Sequence, residues 1–173
     1  TFAWIIALTL SVTFTYKNVY REHIVEAENI TSTSANSFKA VLNQYEIVFD
    51  ILAKQLLQEN MYLENEATLN LLDMVTKLDP AIRGFGVFHP DGTTYVVNSN
   101  INRAQPSLLD IEETRDGFLQ ALSSSHMEVG RTYVVPEIGS AIVPLRKAVR
   151  DAEGEVKFVL SFAIDPDKGF EFF

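Results

Sequence analysis

The stretch YKNVYREHIVEAENITSTSANSFKAVLNQYEIVFDILAKQLLQEN, residues 16–60, contains neither proline nor glycine, and this constrains the chain more than any other feature. Within it Phe38, Leu42, Tyr45, Phe49, Leu52 and Leu56 follow one another at alternating steps of four and three, the a/d seam of a helix packed along one side. Val41, Val48 and Leu57 widen that seam. Continued backward, the register meets Ala35, Thr31, Glu28 and Ile24, a much weaker stripe. The expectation is a single helix from Lys17 to about Asn60, on the order of 65 Å long, exposed or loosely paired at first and packed hard in its second half.

The segment before it, TFAWIIALTLSVTFTY, residues 1–16, carries no charge, and the first basic residue is Lys17. As a helix it would span roughly 24 Å, a little short of a ~30 Å hydrocarbon core. With Trp4 and Tyr16 near its ends it reads as the C-terminal part of a transmembrane helix. A signal peptide is the rival reading, but no A-x-A-like cleavage site follows. A buried core helix is the other.

A net charge of −9 argues against nucleic-acid binding, which needs a basic face to replace counterions. With 47% hydrophobic and 21% charged residues, the 173-residue chain is folded and large enough for one core. There are no cysteines, which excludes disulfides, zinc-thiolate sites and a cysteine nucleophile. His23, His89 and His126 lack metal-ligand spacing. No GxSxG, P-loop, GxGxxG or HExxH motif occurs, so no catalytic residue, metal or cofactor is assigned and the segment is not read as an enzyme.

A second helix fits EATLNLLDMVTKLDP, with Leu69, Leu72, Val75 and Leu78 (or Met74) on its stripe and Pro80 as its stop. RGFGVFHPDGTTYVV reads as a hairpin turning at Pro90-Asp91-Gly92. IEETRDGFLQALSSS is a short helix, weakened by Gly117. GRTYVVPE, GSAIVPLRKAVRD and GEVKFVLSFAID are three further strands, the last two joined at Ala152-Glu153-Gly154. The fold class expected is α+β: a five-stranded antiparallel sheet packed on the long N-terminal helix.

Alternation divides the last strand into two faces. Phe158, Leu160, Phe162 and Ile164 are large and suit a packed helix; Val159, Ser161, Ala163 and Asp165 are small or polar and leave room. On the preceding strand Val143, Leu145 and Val149 share a face with Lys147, which puts Arg146 on the roomy side together with Asp165. That side is a plausible pocket floor. The competing reading is an Arg146–Asp165 salt bridge on a solvated face, worth about 0–1 kcal/mol.

The order of these elements resembles the extracytoplasmic Cache sensor domains of bacterial membrane receptors, also called PAS-like periplasmic sensors. The pieces carrying the resemblance are the long helix, GFGVFHPDGTTYVV, RDGFLQAL, GRTYVVPE and the IVPLRKAVRDAEGEV…FAID pair, over roughly residues 17–170. The wording IVPLRKAVRD is most similar to regions attached to diguanylate cyclases, with histidine kinases and chemoreceptors near. The resemblance implies a PAS-like sheet and a pocket for a small metabolite between sheet, short helix and loops. In amino-acid-binding members an Arg-x-Trp-Tyr-x-x-Ala helix motif serves the ligand carboxylate, while a strand Tyr and a terminal Asp hold the ammonium. Here Arg115 and Ala121 match the motif, Phe118 stands at its Tyr, Tyr133 at the strand Tyr and Asp165 at the terminal Asp. Gly117 replaces the Trp, and Asp110 stands where a further Tyr usually precedes the Arg. The motif is half kept, so an amino-acid ligand does not follow from it.

The site residues expected are Arg115, Phe118, Tyr133, Arg146 and Asp165. The domains expected are 1–16, the end of a transmembrane helix; 17–63, a stalk helix packing on the sheet; and 64–173, the sensor core, with more chain beyond. The function implied is ligand sensing on the periplasmic side of the inner membrane. The partners are a small molecule, the membrane and a second copy along the long helix, with a cytoplasmic output domain elsewhere. The alternative is a protein–protein module that recognises a periplasmic binding protein and holds no ligand of its own.

Overall fold

A computed structural model describes residues 2–58, 60–63, 65–97, 106–136 and 139–169, the side chains of 2–19, 22, 61 and 65 excepted. Helix α1 runs Phe2–Gln58, as the lack of helix breakers dictates, and the chain turns away at Asn60, which takes φ +51°. Leu42 closes one compact unit and Asn43 opens the other. In the first unit the Ser/Thr/Asn-rich stretch stays helical, and the Thr31 hydroxyl donates to the Ala27 carbonyl at 2.8 Å. The side chains from His23 to Thr33 are exposed. The membrane helix expected over 1–16 rests on side chains outside the described residues; among the described residues no helix is long and apolar enough to cross a membrane.

In the second unit the seam buries from Tyr45 through Phe49, Leu52 and Leu56, whereas Phe38, before it, is 36% exposed. A 3₁₀ turn, Met61–Leu63, follows, and α2 spans Asn65–Leu78. Its inner stripe differs from the expected one: Thr68 and Leu72 are fully buried, while Met74 and Leu78 are 55% and 78% exposed. The cause lies at the helix end. Asp79 accepts the Ala81 amide at 2.8 Å and the Tyr45 hydroxyl at 2.9 Å, which turns the chain straight into the sheet and leaves Leu78 outside.

The strands are β1 (Ile82–Phe88), β2 (Thr94–Val97), β3 (Glu128–Val129), β4 (Tyr133–Val135), β5 (Ser140–Arg150) and β6 (Val156–Ile164), with α3 (Glu112–Ser123) between β2 and β3 and α4 (Pro166–Gly169) last. The sheet order is β2-β1-β6-β5-β3, with β4 also on β5, and all pairs are antiparallel. Both expected turns form. Asp91 Oδ1 accepts the Thr93 amide at 2.9 Å in the first, and Gly154 donates to the Asp151 carbonyl at 3.1 Å in the second.

The sheet has one strand more than the five expected, because β3 forms just ahead of GRTYVVPE in addition to β4 within it. Glu128 and Val129 pair with Arg146 and Leu145, and Tyr133–Val135 pair with Ile142–Ser140. Between them the Gly130 amide donates to the Pro144 carbonyl at 2.8 Å. The Pro144 carbonyl therefore faces this edge, and its nitrogen, which would face the same way, has no hydrogen to donate. The ladder breaks at that point.

The large face of β6 lies against helices. Phe158, Leu160, Phe162 and Ile164 are fully buried, the Phe49 ring meets that of Phe162 at 4.5 Å, and Tyr62 stacks on Phe158 at 4.9 Å. On the opposite face Phe88, Val97, Leu108, Phe118, Ala148 and Val159 form a second apolar cluster.

Candidate ligand pocket

Register places small residues side by side on that opposite face. Gly84 pairs with Ala163 and Gly86 with Ser161. Above them lies a cavity of about 460 Å³, walled by Leu108, Ile111 and Thr114 from the start of α3 and by Tyr133–Pro136 from β4. This volume is in the range of small-molecule sites. The lining is mainly apolar; its polar side chains are Glu113, Thr114, Tyr133 and Ser161. Thr114 is buried and already donates to the Leu108 carbonyl at 2.5 Å. Glu113 is exposed.

Of the five residues singled out from the sequence, the structure brings Tyr133 and Arg146 together. Tyr133 lines the cavity, and Arg146, 2% exposed, is its charged neighbour. Burial pushes the Tyr133 phenol up, against the opposing pull of Arg146, so it is a neutral donor at ordinary pH. Burial likewise draws Arg146 below its usual value, with Tyr133 acting against this. Arg146 makes no ion pair among the described residues, and its Nε has no hydrogen-bond partner.

The other three lie elsewhere. Phe118 is fully buried in the apolar cluster. Arg115 is exposed and donates from Nε to the Leu109 carbonyl at 2.6 Å. Asp165 does not meet Arg146. Its Oδ2 accepts from Arg83 Nε at 2.8 Å and Nη2 at 2.6 Å, and its Oδ1 accepts the Asp167 amide at 3.0 Å, capping α4. Sequence reasoning missed Arg83, which sits on β1, far from Asp165 along the chain.

Gly117 has a reason that only the fold reveals. A Cβ there would stand 3.0 Å from Arg146 Nη1, and one at Gly130 would stand 3.2 Å from the same atom. Gly117 leaves a slot for the guanidinium, while a Cβ at Gly130 would first meet Pro144 Cγ, at 2.7 Å.

On the helix side Lys147 donates to Asp50 at 2.6 Å and to Glu46 at 3.2 Å. Glu46 Oε1 also accepts the Met127 amide at 3.1 Å. One α1 carboxylate thus touches both β5 and the segment leading from α3 to the pocket wall.

No family model matches the chain, and no curated protein sequence matches it. Solved structures share its fold. The ligand-binding domain of the Campylobacter jejuni chemoreceptor Tlp3, in complex with 4-methylisoleucine, aligns at TM-score 0.60 and 15% identity over 82% of this chain and 56% of that one. A domain described as a sensory box/GGDEF family protein from Vibrio parahaemolyticus gives 0.58 and 13% over 81% and 59%. The ligand-binding domain of the Pseudomonas aeruginosa PAO1 amino acid chemoreceptor PctC, in complex with GABA, gives 0.53 and 14% over 80% and 61%. The chain spans somewhat more than half the length of these structures. Its fold is the α+β, Cache-like fold of extracytoplasmic sensor domains.

Proposed function

We propose that this chain is the extracytoplasmic ligand-sensing domain of a bacterial membrane receptor and that a small metabolite occupies the cavity over Gly84, Ser161 and Ala163. The observation that carries the reading is the cavity itself: a sheet whose other face is filled by aromatic side chains keeps glycine, alanine and serine here, beneath a cavity of about 460 Å³. Tyr133 and Ser161 supply hydrogen bonds, and Arg146 acts from behind Tyr133. Ligand contact from α3 and β4 shifts the segment between them, and Glu46 passes the shift to α1. The likeness to sensor domains of receptors supports this use. In the same reading the uncharged segment 1–16 anchors the chain in the inner membrane, the long helix pairs with a second copy, and the output domain lies elsewhere in the receptor.

A thermal-shift screen of the purified chain against organic acids, amino acids, amines, purines and sugars tests it. A ligand at ~100 times its Kd adds about 2.7 kcal/mol of stability, a plain rise in Tm. A folded sample that no compound stabilises, and that captures a periplasmic protein instead, overturns the reading in favour of an interaction module.

A further inference from the structure

We propose that the cavity takes a small carboxylate with an apolar body and no ammonium group, its carboxylate received by the Tyr133 hydroxyl with the Arg146 guanidinium behind it. This rests on the ligand-sensing reading above.

Arginine carries only donors, so the Arg146 guanidinium, the charged neighbour of the Tyr133 phenol, cannot take up its hydrogen. The phenol's own hydrogen is then left to donate, and Tyr133 lines the cavity. What the cavity offers at this point is a donor polarised by a cation, which suits an acceptor atom on the ligand. An ammonium there would sit beside a buried positive charge.

The charge balance points the same way. Arg146 is 2% exposed, makes no ion pair among the described residues, and keeps an Nε without a partner. A guanidinium withdrawn from water without a carboxylate is costly, and an anion arriving beside Tyr133 supplies the missing counter-charge in a low-dielectric setting. The arrangement is built in rather than incidental: Gly117 on α3 lacks the side chain that would crowd Nη1.

Among the described residues, the acids near the site do not offer an alternative seat for an ammonium. Both oxygens of Asp165 are engaged, Oδ2 by Arg83 and Oδ1 by the Asp167 amide, and Asp165 is outside the lining. Among the described residues Glu113 is the acidic one in the lining, and it stands exposed at the start of α3, where water screens it. Apart from Thr114 and Ser161 the rest of the wall is apolar, with Phe88, Val97, Leu108 and Val135 among it, and asks for a hydrocarbon body.

The test uses three compounds with one branched hydrocarbon body: 4-methylpentanoate, leucine and 3-methylbutylamine, with straight-chain carboxylates of three to eight carbons beside them. Thermal shift and isothermal titration on the purified chain are read for each. The result expected is a concentration-dependent rise in Tm with one or more of the carboxylates, none with the amine, and at least tenfold weaker binding of leucine than of 4-methylpentanoate. Tyr133→Phe, which keeps the ring and removes only the donor, is expected to abolish the response. Gly117→Leu, which crowds the guanidinium slot, is expected to weaken it. Tighter binding of the amine or of leucine overturns the proposal while leaving the sensing reading intact, as does a full carboxylate response in Tyr133→Phe. Silence from every carboxylate also overturns it, and the wider library then decides separately whether the cavity binds anything.

Discussion

Arg83 donates from Nε and Nη2 to a single oxygen of Asp165, at 2.8 and 2.6 Å, tying the start of β1 to the end of β6. Burial pushes the Asp165 carboxyl up, but the hydrogen bonds from Arg83 and the Asp167 amide outweigh this and hold it below the usual carboxylate value. A lowered folded-state pKa means stability that is present above the unfolded value, about 3.9, and lost as pH falls through the folded one. Asp165→Asn should therefore flatten part of the acid limb of a Tm-against-pH curve below about pH 4. At pH 7 it should cost about 1–3 kcal/mol in urea unfolding, the scale of a hydrogen bond to a charged group.

The α2 stripe separates two leucines. Leu72 is fully buried and Leu78 is 78% exposed. Leu72→Ala should cost about 2–5 kcal/mol, and Leu78→Ala should stay within about 0.5 kcal/mol. Equal losses in denaturant titration would mean that the helix uses the stripe its sequence first indicates.

The pocket floor offers a change that leaves the helical face untouched. Ala163 lines the cavity and pairs with Gly84 and Pro144. Ala163→Leu places a larger side chain in the cavity, so Tm should hold or rise while the shift caused by any binding compound disappears. A variant that still responds to that compound would locate the ligand elsewhere.

Glu46 accepts from Met127 and from Lys147. Burial pushes its carboxyl up, and the Met127 amide and Lys147 more than reverse this. Glu46→Gln should lose about 1–2 kcal/mol and should blunt the ligand-dependent change of any spin-label distance measured from α3 to α1. An unchanged distance response would remove Glu46 from the signalling route.

The sheet and its packing were legible because Phe158 to Asp165 alternate large with small, which fixes a strand's register, and because Tyr45, Phe49, Leu52 and Leu56 supply the matching helical seam. The break between β3 and β4 was not legible. It follows from the side toward which Pro144 directs its missing N–H, and that depends on which strands flank β5. Arg83 as the partner of Asp165 was hidden for a similar reason, since only the β1–β6 pairing brings them together. Gly117 was visible as a weak point in a helix, but nothing local to α3 says that a guanidinium from β5 fills the place beside it. Pairing between strands decided the first two, and the packing of α3 on β5 the third.

The three residue pairs that hold β4 to β5, set beside the eight pairs between β5 and β6, make local opening free energy uneven along the same strand. The amides of β4 should exchange with deuterium through brief, cheap detachments, and those of Val159 and Leu160 only through global unfolding. One wall of the cavity is thereby free to part from β5 while the aromatic layer on the other face stays closed.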